Sequence, residues 1–305
     1  MTSTTPAPIR SARQVTWARR RLATGRMWKQ LRSDRAGFTG LIVLALFVLM
    51  ALAAPLIADR SELRDDSSRG QLPFRPPSGT FLLGTDGIGR DVLAQVVWGA
   101  RVSLYIGLFA TVVAVVIGSL VGLVSGYLKG RIGALLLAVD DFFLVIPFLP
   151  LAIVLAAILG RSPNVLAIVI GVTSWAGSAR LVRAQVLTLS ERGYVDRARA
   201  LGGGGRHIIV RHILPGVAPL IIANATLIVP GAILAESTLA FLGFGDRQSP
   251  SWGRILGDAQ DKSAFTSNAW WNFLPPGLCI VGVVLAFTLL GRALEKIFNP
   301  KLSGR

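Results

Sequence analysis

The chain has one cysteine, Cys279, in 305 residues. A single cysteine excludes an intrachain disulfide, a cysteine-built zinc site and an iron–sulfur cluster. Histidine is almost as rare, with only His207 and His212. They stand five apart, a spacing that does not place two side chains on one face of an α-helix, which argues against a metal site there. Charge is scarce too: Asp, Glu, Lys and Arg make up 16% of the residues, against about a quarter in a soluble domain. Acids are the scarcer sign, 16 against 32 Lys and Arg. No G-x-x-x-x-G-K-[ST] phosphate loop and no H-E-x-x-H zinc motif occurs, so the chain is not an ATPase or a metalloprotease of those types.

What fills the chain is apolar: 52% of residues are hydrophobic and the mean hydropathy is +0.59. Six runs reach the roughly 20 apolar residues that a bilayer core requires: 37–58, 99–127, 132–160, 163–186, 216–240 and 273–293. They are continuous rather than alternating, so they read as helices and not as barrel strands. The second and third are long enough to project beyond lipid. The fold class is an all-α membrane protein with six transmembrane helices. Its parts are a basic tail (1–36), a first span (37–58), a connector (59–98), the remaining spans (99–298, with a polar loop at 188–215) and a short tail (299–305).

Charge sets the orientation. With both termini and alternate loops on the cytoplasmic side, that side holds 22 of the 32 Lys and Arg and four acids. The outer side then holds ten basic and nine acidic residues, and three acids, Asp140, Asp141 and Glu236, fall within spans. This is the positive-inside pattern, and it accounts for a net charge of +16 without nucleic acid. A competing reading makes Leu41–Ala54 a signal-peptide core with Ala51-Leu52-Ala53 as its cleavage site. The basic region before it is too long for that, and the run is long enough to span. The Thr-, Pro- and Arg-rich tail to about Arg26 reads as disordered, with attraction to anionic lipid. Trp252, Trp270 and Trp271 suit an outer membrane interface.

The loop ERGYVDRARALGGGGRHIIVRHILP, Glu191–Pro215, is polar between two apolar spans. Tyr194, Ala198 and Leu201 recur at i, i+4 and i+7, with Val195 beside them, as an apolar stripe on a short helix. Gly202 can take a left-handed C-terminal cap. A second short segment runs from His207 and ends at Pro215. By its residues alone this loop is either an amphipathic helix lying on lipid or a peg for a partner's groove. The earlier stretch FLLGTDGIGRDVLAQVVWGARVSL, from Phe81, reads as a folded connector in which glycines make turns and Asp91 caps the next helix.

Taken in order, these motifs resemble one family. L-G-T-D-x-x-G-R-D followed by G-A-R-x-S-L, SWAGSARLVRAQVL from Ser174, the loop ending H-x-L-P, VDDFFLVIPFLPLAIVL from Val139, AILAESTLAFLGFGDRQSPSWGRIL from Ala232 and NPKL at Asn299–Leu302 look like the second-type permease subunit of dipeptide, oligopeptide and nickel ABC importers. The resemblance covers roughly Phe81 to Leu302. The chain departs from the family with Asp196 where Glu is usual, Arg197 where Ala is usual, and a longer glycine run after Gly202.

The resemblance implies a type I ABC importer transmembrane domain whose 191–215 loop is a cytoplasmic coupling helix. Its implied partners are a second homologous permease, two ATPase subunits, an extracytoplasmic binding protein and the bilayer. It implies no catalytic residue and no cofactor in this chain, ATP and Mg being held by the ATPases. Implied for coupling are Tyr194, Asp196, Arg197, Ala198, Leu201 and Gly202, with His212 and Pro215 shaping the return. Asp140, Asp141 and Glu236 either line the translocation path or pair structurally at an interface, since isolated charges in lipid cost about 2.5–3.5 kcal/mol on insertion scales. Peptide is the implied cargo, with nickel and glutathione as alternatives. Outside the family stand an ion-gradient-driven secondary transporter, for which no internal repeat is visible, and a scaffold, which has no need of the glycine-broken loop.

Overall fold

The computed structural model describes residues 25, 27–63, 72–128, 130–246 and 248–298. The basic tail before residue 25 and the closing NPKL motif lie outside them. The described residues are helical apart from connections, with one isolated bridge between Thr85 and Asp91. In chain order the helices are α1 (Arg35–Ile57), α2 (Val92–Tyr127), α3 (Arg131–Val145), α4 (Phe148–Leu159), α5 (Pro163–Thr173), α6 (Ala176–Ser190), α7 (Gly193–Ala200), α8 (Gly205–Ile208), α9 (Leu214–Leu239), α10 (Trp252–Asp261) and α11 (Leu274–Phe298).

Four helical stretches are long and apolar enough to cross a bilayer, and six spans result when each of two bent pairs counts as one. The expected run 132–160 divides into α3 and α4, which meet at 93°. Pro147 causes the break: its ring disfavours helical backbone at the residue before it, and Ile146 is extended. The run 163–186 divides into α5 and α6, bent by 45°. Pro215 does not end a segment as expected. The chain runs from Gly205 through a π-helical turn, Ile209–Ile213, into α9, with Pro215 directly after the wider turn.

α2 has 36 residues, about 54 Å at 1.5 Å per residue, and packs against most of the bundle. In its second turn the Trp98 indole donates to the carbonyl of Ala58, just past α1, at 3.1 Å. About 20 residues further along, some 30 Å, α2 meets α6. There Gly118, Gly122 and Gly126 lie against α6. A Cβ on Gly118 would sit 2.7 Å from the Trp175 carbonyl, one on Gly122 2.6 Å from the Ala179 carbonyl, and one on Gly126 2.8 Å from Val186 Cβ. Small residues four apart let the two backbones touch. The last turns of α2 and α6 therefore run side by side toward the 191–215 loop.

The connector closes the other end. The Asp91 carboxylate accepts from Leu93 N at 2.7 Å, capping α2 as expected. Burial raises the Asp91 carboxyl above the usual range, against the opposing pull of the Leu93 and Ala94 amides. Asp86 accepts from Ile88 N and Arg90 N, and Thr85 bonds both Arg75 N and the Leu72 carbonyl. Arg90 bridges Asp86 at 2.7 Å and Asp258 of α10 at 3.1 Å. Burial works against the Arg90 charge, but the two carboxylates outweigh it and raise its pKa. The L-G-T-D-x-x-G-R-D motif is thus a built turn that fastens the connector to α10. Trp252 and Trp271 are buried in the bundle rather than placed at an interface, while Trp270 is exposed. α10 has enough apolar and ion-pair partners on the bundle to draw Trp252 inward.

Candidate functional site

The 191–215 loop is built on α6. Val186 and Val182 of α6, Leu123 of α2, Val195 of α7, Ile208 and Ile213 of the return and Val217 of α9 form one core cluster. Val195 is the buried anchor of α7, and Ala198 packs beside it. The expected stripe is therefore split: Tyr194 is 40% exposed and Leu201 88% exposed. Leu201 leaves the stripe because α7 ends one residue earlier. Gly202 is left-handed at φ +81°, and the two bonds of a Schellman cap are present: Gly203 N to the Ala198 carbonyl and Gly202 N to the Arg199 carbonyl, each 2.9 Å. The cap stops the helix and holds Leu201 at the tip.

Polar groups hold the loop's shape. Arg199 donates to Asp196 at 3.0 Å and to the Ser190 carbonyl at 3.4 Å, and its guanidinium lies over Tyr127 at 5.6 Å. Arg197 donates to the Gly193 carbonyl at 3.2 Å. Asp196 and Arg197, the two departures from the family pattern, are thus both engaged within α7. The π-helical turn changes the expectation for the histidines. With its wider turn, residues five apart come together, and the rings of His207 and His212 meet edge to face with centroids 5.6 Å apart. Tyr194 stands 6.3 Å from His212. Among the described residues no group of three His, Cys, Asp or Glu is placed to hold a metal.

The acids separate into two settings. Asp140 and Asp141 on α3 both accept from Arg180 of α6, so they pair structurally within this chain. Arg180 is level with Gly118–Gly122, so this cluster lies where α6 packs on the second half of α2. Asp140 is buried while the Arg180 side chain is 55% exposed. Glu236 on α9 is fully buried and bonded to Ser103 and Ser237. A separate, mostly apolar hollow of about 310 Å³ lies between α2, α4, α5 and α9, lined by residues such as Ala110, Phe148, Ser174 and Gly231.

Sequence reasoning missed Arg199, Ser103 and the glycines at 118, 122 and 126. The glycine spacing was a usable signal, whereas the Ser103 contact spans 133 residues of sequence and had none.

Residues 118–304 match the model of a family described as binding-protein-dependent transport system inner membrane component. Residues 24–77 match the N-terminal TM domain of oligopeptide transport permease C. The dipeptide transport system permease protein DppC of Bacillus subtilis is 34% identical over 277 residues, covering 90% of this chain and 85% of the relative. The di/tripeptide transport system permease protein DppC of Pseudomonas aeruginosa is 37% identical over 284 residues, 90% and 91% of the two chains. The oligopeptide transport system permease protein OppC of Bacillus subtilis is 34% identical over 284 residues, 90% of each. On these matches the chain belongs to the family of binding-protein-dependent inner membrane transport components, and its bundle is the transmembrane domain of a type I ABC importer.

Proposed function

We propose that this chain forms half of the translocation path of an ATP-driven peptide importer and takes its driving motion through the 191–215 loop. The observation that carries this reading is mechanical. The loop offers Tyr194 and Leu201 outward while Val195 anchors it to α6, and α6 is in backbone contact with α2. A push on the loop is therefore delivered to the longest helix of the bundle. The relatives' names supply the cargo class, di- and oligopeptides.

In this account two ATPase subunits bind and hydrolyse Mg-ATP, and their approach moves the loop. A second, homologous permease completes the path, and an extracytoplasmic binding protein delivers the solute. No residue of this chain performs covalent chemistry. Both termini and the loop face the cytoplasm, in keeping with the excess of Lys and Arg on that side. The apolar hollow beside α4 and α9 belongs to the wall facing the second permease or the path.

Purification from the native membrane in gentle detergent, with mass spectrometry of what accompanies the chain, tests the assembly. A second permease and phosphate-loop ATPases are expected. Recovery of the chain alone, under conditions that keep other complexes intact, contradicts it. Uptake by the reconstituted complex then discriminates peptide from nickel or glutathione, and a requirement for ATP rather than an ion gradient excludes a secondary transporter.

A further inference from the structure

Glu236 lies on α9 opposite Ser103 of α2, five residues or about 7.5 Å along α2 from Trp98. It has no exposed surface. The donors to its Oε2 are hydroxyls, Ser103 Oγ at 3.1 Å and Ser237 Oγ at 3.4 Å, and its Oε1 has no partner. A buried carboxyl served only by hydroxyls is costly unless its position has a use.

The Ser103 hydroxyl carries the contact onward. Its proton goes to Glu236, and its free lone pair accepts the backbone N–H of Trp252 at 3.2 Å. Trp252 is the first residue of α10 and is fully buried. Its indole donates to the Val96 carbonyl at 2.9 Å, and its ring meets Phe47 of α1 edge-on at 5.6 Å. α10 thus enters the connector end of the bundle by its leading residue, seated on α1 and α2. The chain between α9 and α10 has a pivot: Gly243, at φ +87°, breaks the π-helical turn Ala240–Phe244.

We infer that Glu236 is a positioning residue that, through Ser103, seats α10 as a plug in the connector end of the bundle, and that the plug withdraws when this end opens for solute. The withdrawal rests on the importer reading; the seating does not. The joint is made of hydrogen bonds, through Ser103 and the Trp252 indole, and withdrawal of α10 also has to release the Arg90–Asp258 pair or carry the connector with it.

The test uses the complete transporter in lipid, with Cys279→Ala and a reporter Val96→Cys beneath Trp252, labelled by a membrane-impermeant maleimide. Without ATP, Glu236→Ala is expected to raise the labelling rate about tenfold, as expected when a buried hydrogen bond is lost from a local opening equilibrium. Glu236→Gln, whose amide oxygen still accepts from Ser103, is expected to stay near the parent rate. A control reporter, Ala152→Cys, buried in a different cluster, is expected to stay dark in every variant. If Glu236→Ala does not assemble, Ser103→Ala cuts the same bridge and is expected to raise Val96→Cys labelling alone. Unchanged labelling in an assembled Glu236→Ala or Ser103→Ala protein overturns the seating role, as does a Gln variant as open as the Ala variant. With binding protein and ATP, the parent is expected to label faster. If it does not, while the variants behave as stated, the seating stands and the withdrawal is refuted.

Discussion

At the residue scale, Gly202 carries the sharpest expectation. Its φ of +81° is left-handed, and open space surrounds it, so a substitution there is strained by backbone geometry and not by crowding. Gly202→Val forces a β-branched residue into that region at a cost of roughly 1–2 kcal/mol, or re-aims the tip. The chain should still insert and assemble, while binding-protein-stimulated ATPase activity and uptake fall together. Transport at the parent rate would remove the loop's assigned role. Arg180 gives a second case. Breaking a buried pair costs about 3–5 kcal/mol and an exposed one about 0–1, and Arg180 with buried Asp140 falls between, at about 1–3 kcal/mol. Arg180→Ala should lower thermal stability by that amount, and adding Asp140→Asn should recover most of it. No recovery would mean that the guanidinium acts by packing rather than by charge.

At the element scale, the proposed coupling runs through the contact between α2 and α6. Gly122→Leu would drive a side chain into the Ala179 carbonyl and Val182, so the helices must part. Overpacking of this kind costs about 1–3 kcal/mol. The measurement is thermal stability of the purified chain alongside coupling in the complex, and loss of both is expected; a stable, fully coupled variant would contradict the role given to this contact. Much at this scale was legible in the sequence. Continuous apolar runs gave the spans, Asp91 gave the cap of α2, and Gly202 gave the cap of α7, because each depends on neighbouring residues only. The bend at Pro147 had a local signal that the hydropathy of 132–160 masked. The edge-to-face contact of His207 with His212 was not legible, because the helical spacing argument assumes 3.6 residues per turn and the chain makes a π turn there. The seat of Trp252 was hidden as well, since its partners on α1 and α2 are some 150 residues or more away in sequence.

At the scale of the whole molecule, the chain is a bundle with two unlike ends. One end is closed by a connector and by α10, tied through Arg90, Asp86 and Asp258. The other is built on α6 and the tail of α2 and carries the loop. In the proposed orientation the excess of Lys and Arg puts this end on the cytoplasmic side. The most direct measurement is photo-crosslinking from a benzophenone amino acid placed at Leu201, at the exposed tip, in native membranes. The account expects an adduct with a phosphate-loop ATPase, and none from the same probe at Leu56, on the exposed apolar face of α1. Adducts with lipid alone at Leu201 would show a loop lying on the membrane and would contradict the coupling role.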